Sequence, residues 1–192
     1  MKRSTLFALL IASSLPLSAH AAESFTIDPE HTSQHFSVNH LGFSSMQGRF
    51  DKSSGKVTLD SAAKKGTVEF SVEAASINTG HTKRDEHLRS PDFFNVAEFP
   101  SIQFKSTAIK FKGNKPTSVE GNLTLLGVSK PVKLDISAFN CSLHPMDPTQ
   151  KKFVCGADAS TQIKRSDFGM KYGLPAIGDN IKLVFAIEAI RD

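Results

Sequence analysis

The sequence predicts an all-β domain, an extended antiparallel β-barrel of about eight strands with one short helical segment. Three observations carry that expectation. Most of the chain alternates apolar and polar residues with a period of two, the spacing of a sheet with one buried face. Turn residues punctuate these runs at hairpin distance. Of 192 residues, 39% are hydrophobic and 22% charged, which suits one well-buried domain and excludes fibrous or wholly disordered classes. The aromatic content is lopsided, with 15 Phe, one Tyr and no Trp, so nearly every large ring lacks a hydrogen-bonding handle. Such rings build either a dry core or the wall of an apolar cavity.

Residues 1–21 are expected to be a cleaved secretory signal peptide. Lys2 and Arg3 supply a basic start, Leu6 to Leu17 an apolar run, and Ala19-His20-Ala21 an A-x-A cleavage site. The run is shorter than the roughly 20 apolar residues of a spanning helix. No Cys follows the cut for lipid attachment, so residues 22–192 are expected as a single domain, free in a periplasm or secreted. The net charge of +4 falls by two once Lys2 and Arg3 are set aside. With no basic cluster interleaved with aromatics, the balance argues against nucleic acid as a partner.

The strands follow in order. Ser33 to Leu41 and Met46 to Asp60 are strand-like, though polar and interrupted by Gly48 and Gly55. Val68, Phe70, Val72 and Ala74 share one face opposite Thr67, Glu69, Ser71 and Glu73. Helical spacing occurs once, from Thr82 to Leu88 or Arg89, with Thr82 and Asp85 at capping-box separation. Ser90-Pro91 ends that helix and suits the start of a second turn carrying Phe93 and Phe94. Apolar parity then shifts between Ile102/Phe104 and Ile109/Phe111, which a bulge near Ser106 to Ala108 explains. After the turn at Lys112 to Pro116 comes the run Val119, Gly121, Leu123, Leu125; after Leu126 to Pro131 comes Val132, Leu134, Ile136. Ile177 to Asn180 reads as the last turn, before Ile181, Leu183, Phe185 and Ile187. Eight strands joined mostly by short turns suit a meander that closes on itself around a small ligand; a two-layer sandwich shows the same alternation.

Cys141 and Cys155 are the only cysteines, an even number in an oxidising compartment. They lie near the loop ends of the runs Lys133 to Ser142 and Phe153 to Lys164, where a disulfide would pin a long hairpin loop. A redox or metal pair is the alternative, but there is no C-x-x-C, and His144 does not complete a zinc site.

Gly80-His81-Thr82-Lys83-Arg84-Asp85-Glu86-His87-Leu88-Arg89-Ser90-Pro91-Asp92-Phe93-Phe94, followed by Phe99-Pro100 and Ile102-Gln103-Phe104, closely resembles the hallmark of the YceI-like family. His35 to Gly42 resembles that family's first strand, and Gly121 to Val132 its strand-turn-strand. The resemblance implies an extended lipocalin-like barrel whose cavity binds polyisoprenoid or other long-chain amphiphilic lipids, in periplasmic or secreted proteins that are often homodimers, without catalytic residues. It implies no cofactor beyond a bound lipid such as a polyprenyl chain, a quinone or a long-chain fatty derivative. The cysteine pair and the segment Lys164 to Met170 look like features of one subgroup.

A prenyl or acyl chain offers little beyond hydrophobic burial, so its receptor needs a long apolar lining. The inward candidates are Phe36, Val38, Phe70, Val72, Phe104, Phe111, Leu123, Leu125 and Phe185. For any single Phe, periodicity alone favours a filled core; the resemblance turns the set toward a lining. A polar head group would meet charged residues near apolar anchors, with Arg84, Arg89, Lys164 and Arg165 as candidates and Phe168 beside them. Local ion pairing is the alternative for each. Replacing Arg89 with Ala is expected to weaken ligand retention more than stability.

The histidines pose a rival reading. His31 and His35 are roughly 13 Å apart in an extended chain, too far to share a metal, while His35 and His40 fall on opposite faces. No G-x-S-x-G, H-E-x-x-H or phosphate loop is present, and His81 and His87 fit the helix cap and its hydrogen bonds. No catalytic or metal site is therefore expected. A lipid carrier or store, with transient membrane contact, leads over a hydrolase or isomerase acting on such a lipid and over a scavenger of hydrophobic drugs.

Overall fold

The computed structural model describes residues 22–192, so the expected signal peptide lies outside the described residues. The strands are β1 (Glu23–Ile27), β2 (Ser33–His40), β3 (Ser44–Phe50), β4 (Ser53–Asp60), β5 (Lys65–Glu73) and β6 (Ile77–Asn78). After helix α1 (Thr82–Arg89) come β7 (Ser101–Lys112), β8 (Lys115–Leu125), β9 (Val128–Leu143), β10 (Phe153–Lys164) and β11 (Ile177–Arg191). All pairings are antiparallel, and β1 against β11 closes the sheet.

The segments make an eight-stranded barrel because three of its staves are broken. The end of β11 pairs with β1 (Phe25 with Arg191) and its beginning with β2 (His40 with Ile177), so β1 and β2 are one stave. In the same way β4 and β3 continue one another, as do β5 and β6. The first break is built by Asp28-Pro29. The Asp28 carboxylate accepts from Glu30 N at 3.1 Å and bonds His31 Nδ1 at 2.9 Å, turning the chain where Pro29 cannot donate to a ladder. Each stave pairs with the next, so the meander holds and the sandwich does not.

The bulge expected near Ser106 lies between Ser106 and Ala108. Ser106 Oγ accepts from Val68 N at 2.7 Å, where the β5–β7 ladder has ended. A second bulge, between Lys110 and Phe111, gave no sequence signal. Ile177 to Asn180 corrects the expectation of a turn. It is the start of β11, with the register slipping between Ile177 and Ile181, because Asp179 leaves the ladder face to accept from Ser166 N at 2.9 Å and its hydroxyl at 2.7 Å. β1 is a strand the periodicity reading did not include.

Helix α1 occupies the expected residues, but its cap differs. His81 precedes the helix and its Nδ1 accepts from Arg84 N at 3.3 Å. Asp85 makes no capping box; buried, it reaches back to accept from Thr79 N at 3.0 Å and the Thr79 hydroxyl at 2.5 Å. After Pro91 a turn carries Phe93 and Phe94 as anticipated, with Phe93 N donating to Ser90 O.

Two apolar clusters mark the barrel's ends. Phe25, Ile27, Leu59, Cys155 and Ala189 close one. Phe93, Leu125, Phe168 and Met170 gather under α1 at the other. Cys141 and Cys155 face each other across β9 and β10 and are joined in a disulfide, with Cα atoms 4.0 Å apart.

Candidate functional site

Between the two clusters the lumen is not filled. It holds a cavity of about 450 Å³, within the usual range for ligand sites. The lining follows from strand parity, since alternate residues of every stave point inward. Phe36 and Val38 enter from β2, Phe70 and Val72 from β5, and Phe104 from β7. Leu123 and Leu125 enter from β8 and Phe185 from β11. Phe111, also expected on this wall, is not on it. Beyond the second bulge it pairs with Pro116 and packs against the Phe25 cluster, backing the closed end.

Two rings cross the lumen. Phe70 and Phe185 belong to staves that are not neighbours, yet their centroids lie 6.4 Å apart at 89°, edge against face. Two other rings need an absent side chain beside them. The Phe36 ring lies over Gly48, where a Cβ would overlap it, and a Cβ at Gly121 would lie 2.5 Å from Phe104 Cζ. These glycines make room for bulk on the inner face.

At the α1 end the wall becomes polar and solvent-accessible. His87, Phe93 and Tyr172 form a triangle of edge-packed rings with centroid separations of 5.1 to 5.3 Å. All three line the cavity, and Tyr172 is 48% exposed, so this end is the mouth. His87 Nε2 also meets Asp92 at 2.8 Å. His40, Arg84 and Arg165 complete the polar rim.

The expected head-group residues separate here. Arg84 lines the cavity and donates from Nε to Thr79 Oγ1 (2.7 Å) and from Nη2 to Thr79 O (2.8 Å). Arg165 lines it too, but is buried and spends its guanidinium on Gly178 O, Ile177 O and Met170 O at 2.9 to 3.1 Å. Burial lowers its pKa from the ordinary arginine value. Arg89 is off the wall, tying α1 to Ala75 O and Ile77 O. Lys164 is exposed and off the wall, and Phe168 is buried beneath the mouth as packing. Among the described residues, none of the three arginines is paired with a carboxylate.

The periodicity reading missed other wall residues. Tyr172, Met170 and His87 lie outside regular alternation, and only contact with the mouth reveals them. Gln34 had a signal, because it shares the inward parity of Phe36 and Val38. It is 4% exposed, its Nε2 donates to Phe50 O, and its Oε1 has no partner. No Asp, Glu, Lys or Ser lines the cavity among the described residues.

Comparison with known proteins agrees with this geometry. Residues 25–189 match the family model described as a YceI-like domain. A UPF0312 protein of Shewanella denitrificans is 38% identical over 194 residues, covering 100% of both chains. The crystal structure of the Campylobacter jejuni YceI protein superposes with a TM-score of 0.66 at 27% identity, over 80% of this chain and 90% of that one. A polyisoprenoid-binding domain from Saccharophagus degradans, described as implicated in plant cell wall breakdown, shares the fold with a TM-score of 0.62 at 15% identity, over 88% and 99%.

Proposed function

The chain belongs to the YceI-like family, and on that premise we propose that it is a soluble periplasmic protein that holds one long-chain amphiphilic lipid in its barrel, for carriage, storage or sequestration. The carrying observation is the cavity itself: about 450 Å³, walled by Phe, Leu, Val and Ile from every stave, with polar groups concentrated at one end. At roughly 30 Å³ per water-sized group, that space suits about fifteen methylene-sized groups. Their burial at about 0.8 kcal/mol each supplies roughly 12 kcal/mol, of which several are lost to immobilising the chain. The polyisoprenoid-binding neighbour supports a prenyl chain as one ligand class.

The head group is placed at the mouth. Arg84 supplies a cation there, and His87 and Tyr172 supply hydrogen-bonding edges, which suits a quinone carbonyl or an anionic group. The β2–β3 turn beside it exposes Phe43 at 89% and Leu41 at 49%, and Leu41 N donates to Ala176 O, next to the Tyr172 loop. Exposed apolar side chains at the mouth of a lipid cavity suit transient contact with a membrane surface. A homodimer is also proposed, to be checked by light scattering.

A binding role is favoured over catalysis because, among the described residues, no carboxylate, lysine or serine lines the wall, and the one carboxylate paired with a wall histidine, Asp92 on His87, lies at the mouth. Titration of delipidated protein with a polyprenyl quinone and with a long-chain fatty amide tests the reading. Saturable one-to-one binding with a negative heat-capacity change is expected. Absence of saturable binding to either would sink it, and turnover of a bound lipid would move the protein to the enzyme class.

A further inference from the structure

Gln34 interrupts an otherwise apolar stretch of wall. It sits on β2 opposite Phe50 of β3 and Phe185 of β11, at the level where Phe185 meets Phe70 across the lumen. The contact of Nε2 with Phe50 O, 2.5 Å, settles which end of the amide is which, since reversing it would set two acceptors against each other. Oε1 is then left over. It is the one buried side-chain nitrogen or oxygen among the described residues without a hydrogen-bond partner.

Native interiors seldom leave an acceptor in that condition, and each instance calls for an explanation. A trapped water needs two to four polar partners. The inward neighbours are Phe36 on β2 itself, Phe50 across β3, and Leu183 and Phe185 across β11; the threonine hydroxyls that line the cavity are set beyond these strands, Thr161 on β10 past β11 and Thr79 just after β6 past β3. The wall does not supply a water's remaining partners. Gln34 lines the cavity, so a small shift of its side chain brings Oε1 within reach of whatever fills it.

We infer that Gln34 Oε1 is a subsite for a hydrogen-bond donor carried part-way along the buried length of the ligand. The chain held here is then a functionalised amphiphile, bearing a hydroxyl or an amide N–H within the barrel, and not a plain hydrocarbon tail. This rests on the lipid-binding reading and refines it. A donor that satisfies the acceptor is worth about a factor of ten in affinity, about 1.4 kcal/mol, over an isosteric chain that leaves it unpaired.

The test uses delipidated full-length mature protein and calorimetric titration with octadecanoic acid and a series of its mono-hydroxy isomers, the hydroxyl stepped along the chain. One isomer, or two adjacent ones, is expected to bind about tenfold tighter than octadecanoic acid. In Gln34→Leu the advantage disappears while octadecanoic acid binds at least as well; Gln34→Met serves if the leucine variant does not fold. Equal affinity across the wild-type series, or an advantage that survives both substitutions, overturns the inference and leaves the lipid reading standing. Failure of every member to bind removes both.

Discussion

Phe70 of β5 and Phe185 of β11 touch edge to face across the barrel, 6.4 Å between centroids, although their staves are separated on both sides by other strands. The contact spans the lumen, setting the passage from the mouth toward the Phe25 cluster. Phe70→Ala is expected to lower unfolding free energy by about 3–5 kcal/mol in urea titration, as for other core truncations, and to admit a longer or bulkier chain. Unchanged stability together with an unchanged set of bound lipids would mean that the rings do not shape the lumen.

Gly48 and Phe36 make a second prediction. A methyl at Gly48 would overlap the Phe36 ring and lie 2.9 Å from Thr79 Cγ2. Gly48→Ala should therefore destabilise by about 1–3 kcal/mol and weaken lipid binding, since overpacking forces the ring into the cavity. Denaturation midpoints and binding isotherms of the same preparation check both parts. Combining it with Phe36→Leu should recover most of the stability.

Arg84 and Arg89 lie five residues apart and should respond in opposite ways. Arg89→Ala releases Ala75 O and the carbonyl of buried Ile77, so a loss of roughly 2–3 kcal/mol is expected with lipid occupancy unchanged. That reverses the expectation from sequence, which placed Arg89 at the head group. Arg84→Gln keeps a donor toward Thr79 but removes the charge from the mouth; weaker retention of an anionic lipid, with a nearly unaltered melting temperature, is the expected result.

The disulfide closes a segment with a sequence separation of 14, and one of its sulfurs belongs to the buried cluster at the closed end. Replacing both cysteines with Ala should cost about 3 kcal/mol, measured by urea unfolding under oxidising conditions. Asp147 reduces how far the loop can open, because it accepts from Lys152 N, Lys151 N, Thr149 N and the Thr149 hydroxyl, which hold its carboxyl well below the usual range.

Asp28 and His31 give the fold a pH signature. Their hydrogen bond lowers the Asp28 pKa from its ordinary 3.8 and raises that of His31 from its ordinary 6.5. The His31 contribution is complete below about 6.5 and is lost as pH rises through the raised folded value. That of Asp28 is present above about 3.8 and is lost as pH falls through the lowered folded value. Urea midpoints should accordingly peak between these limits, and His31→Gln should flatten the alkaline side of the peak. An identical alkaline slope in wild type and variant would assign it to other groups.

The strands longest in the chain were legible because each buries one face against the lumen and leaves the other wet, so periodicity reports the barrel directly. Phe153 to Lys164 begins and ends where the alternation does. β1 was harder to see: it has five residues, and Phe25 and Ile27 alone carry its inward face. The broken staves read as separate or merged runs because pairing between β1 and β4, or β3 and β6, depends on contacts distant in sequence. Phe111 was misplaced by a bulge that leaves no compositional trace, and Arg89 by the long reach of its side chain to carbonyls on another element. Most of the apolar wall was thus readable from alternation, whereas the mouth, built by a helix and an irregular loop, was not.

The central claim is that the barrel holds a long apolar chain in its native compartment. Native mass spectrometry of protein purified from the cells that make it, followed by solvent extraction and identification of what is released, tests it most directly. A discrete mass increment of one lipid per protein, lost after extraction and restored by adding the identified lipid back, is the predicted result. Repeatedly empty protein that also fails to take up polyprenyl quinones, prenyl phosphates or fatty amides would contradict it.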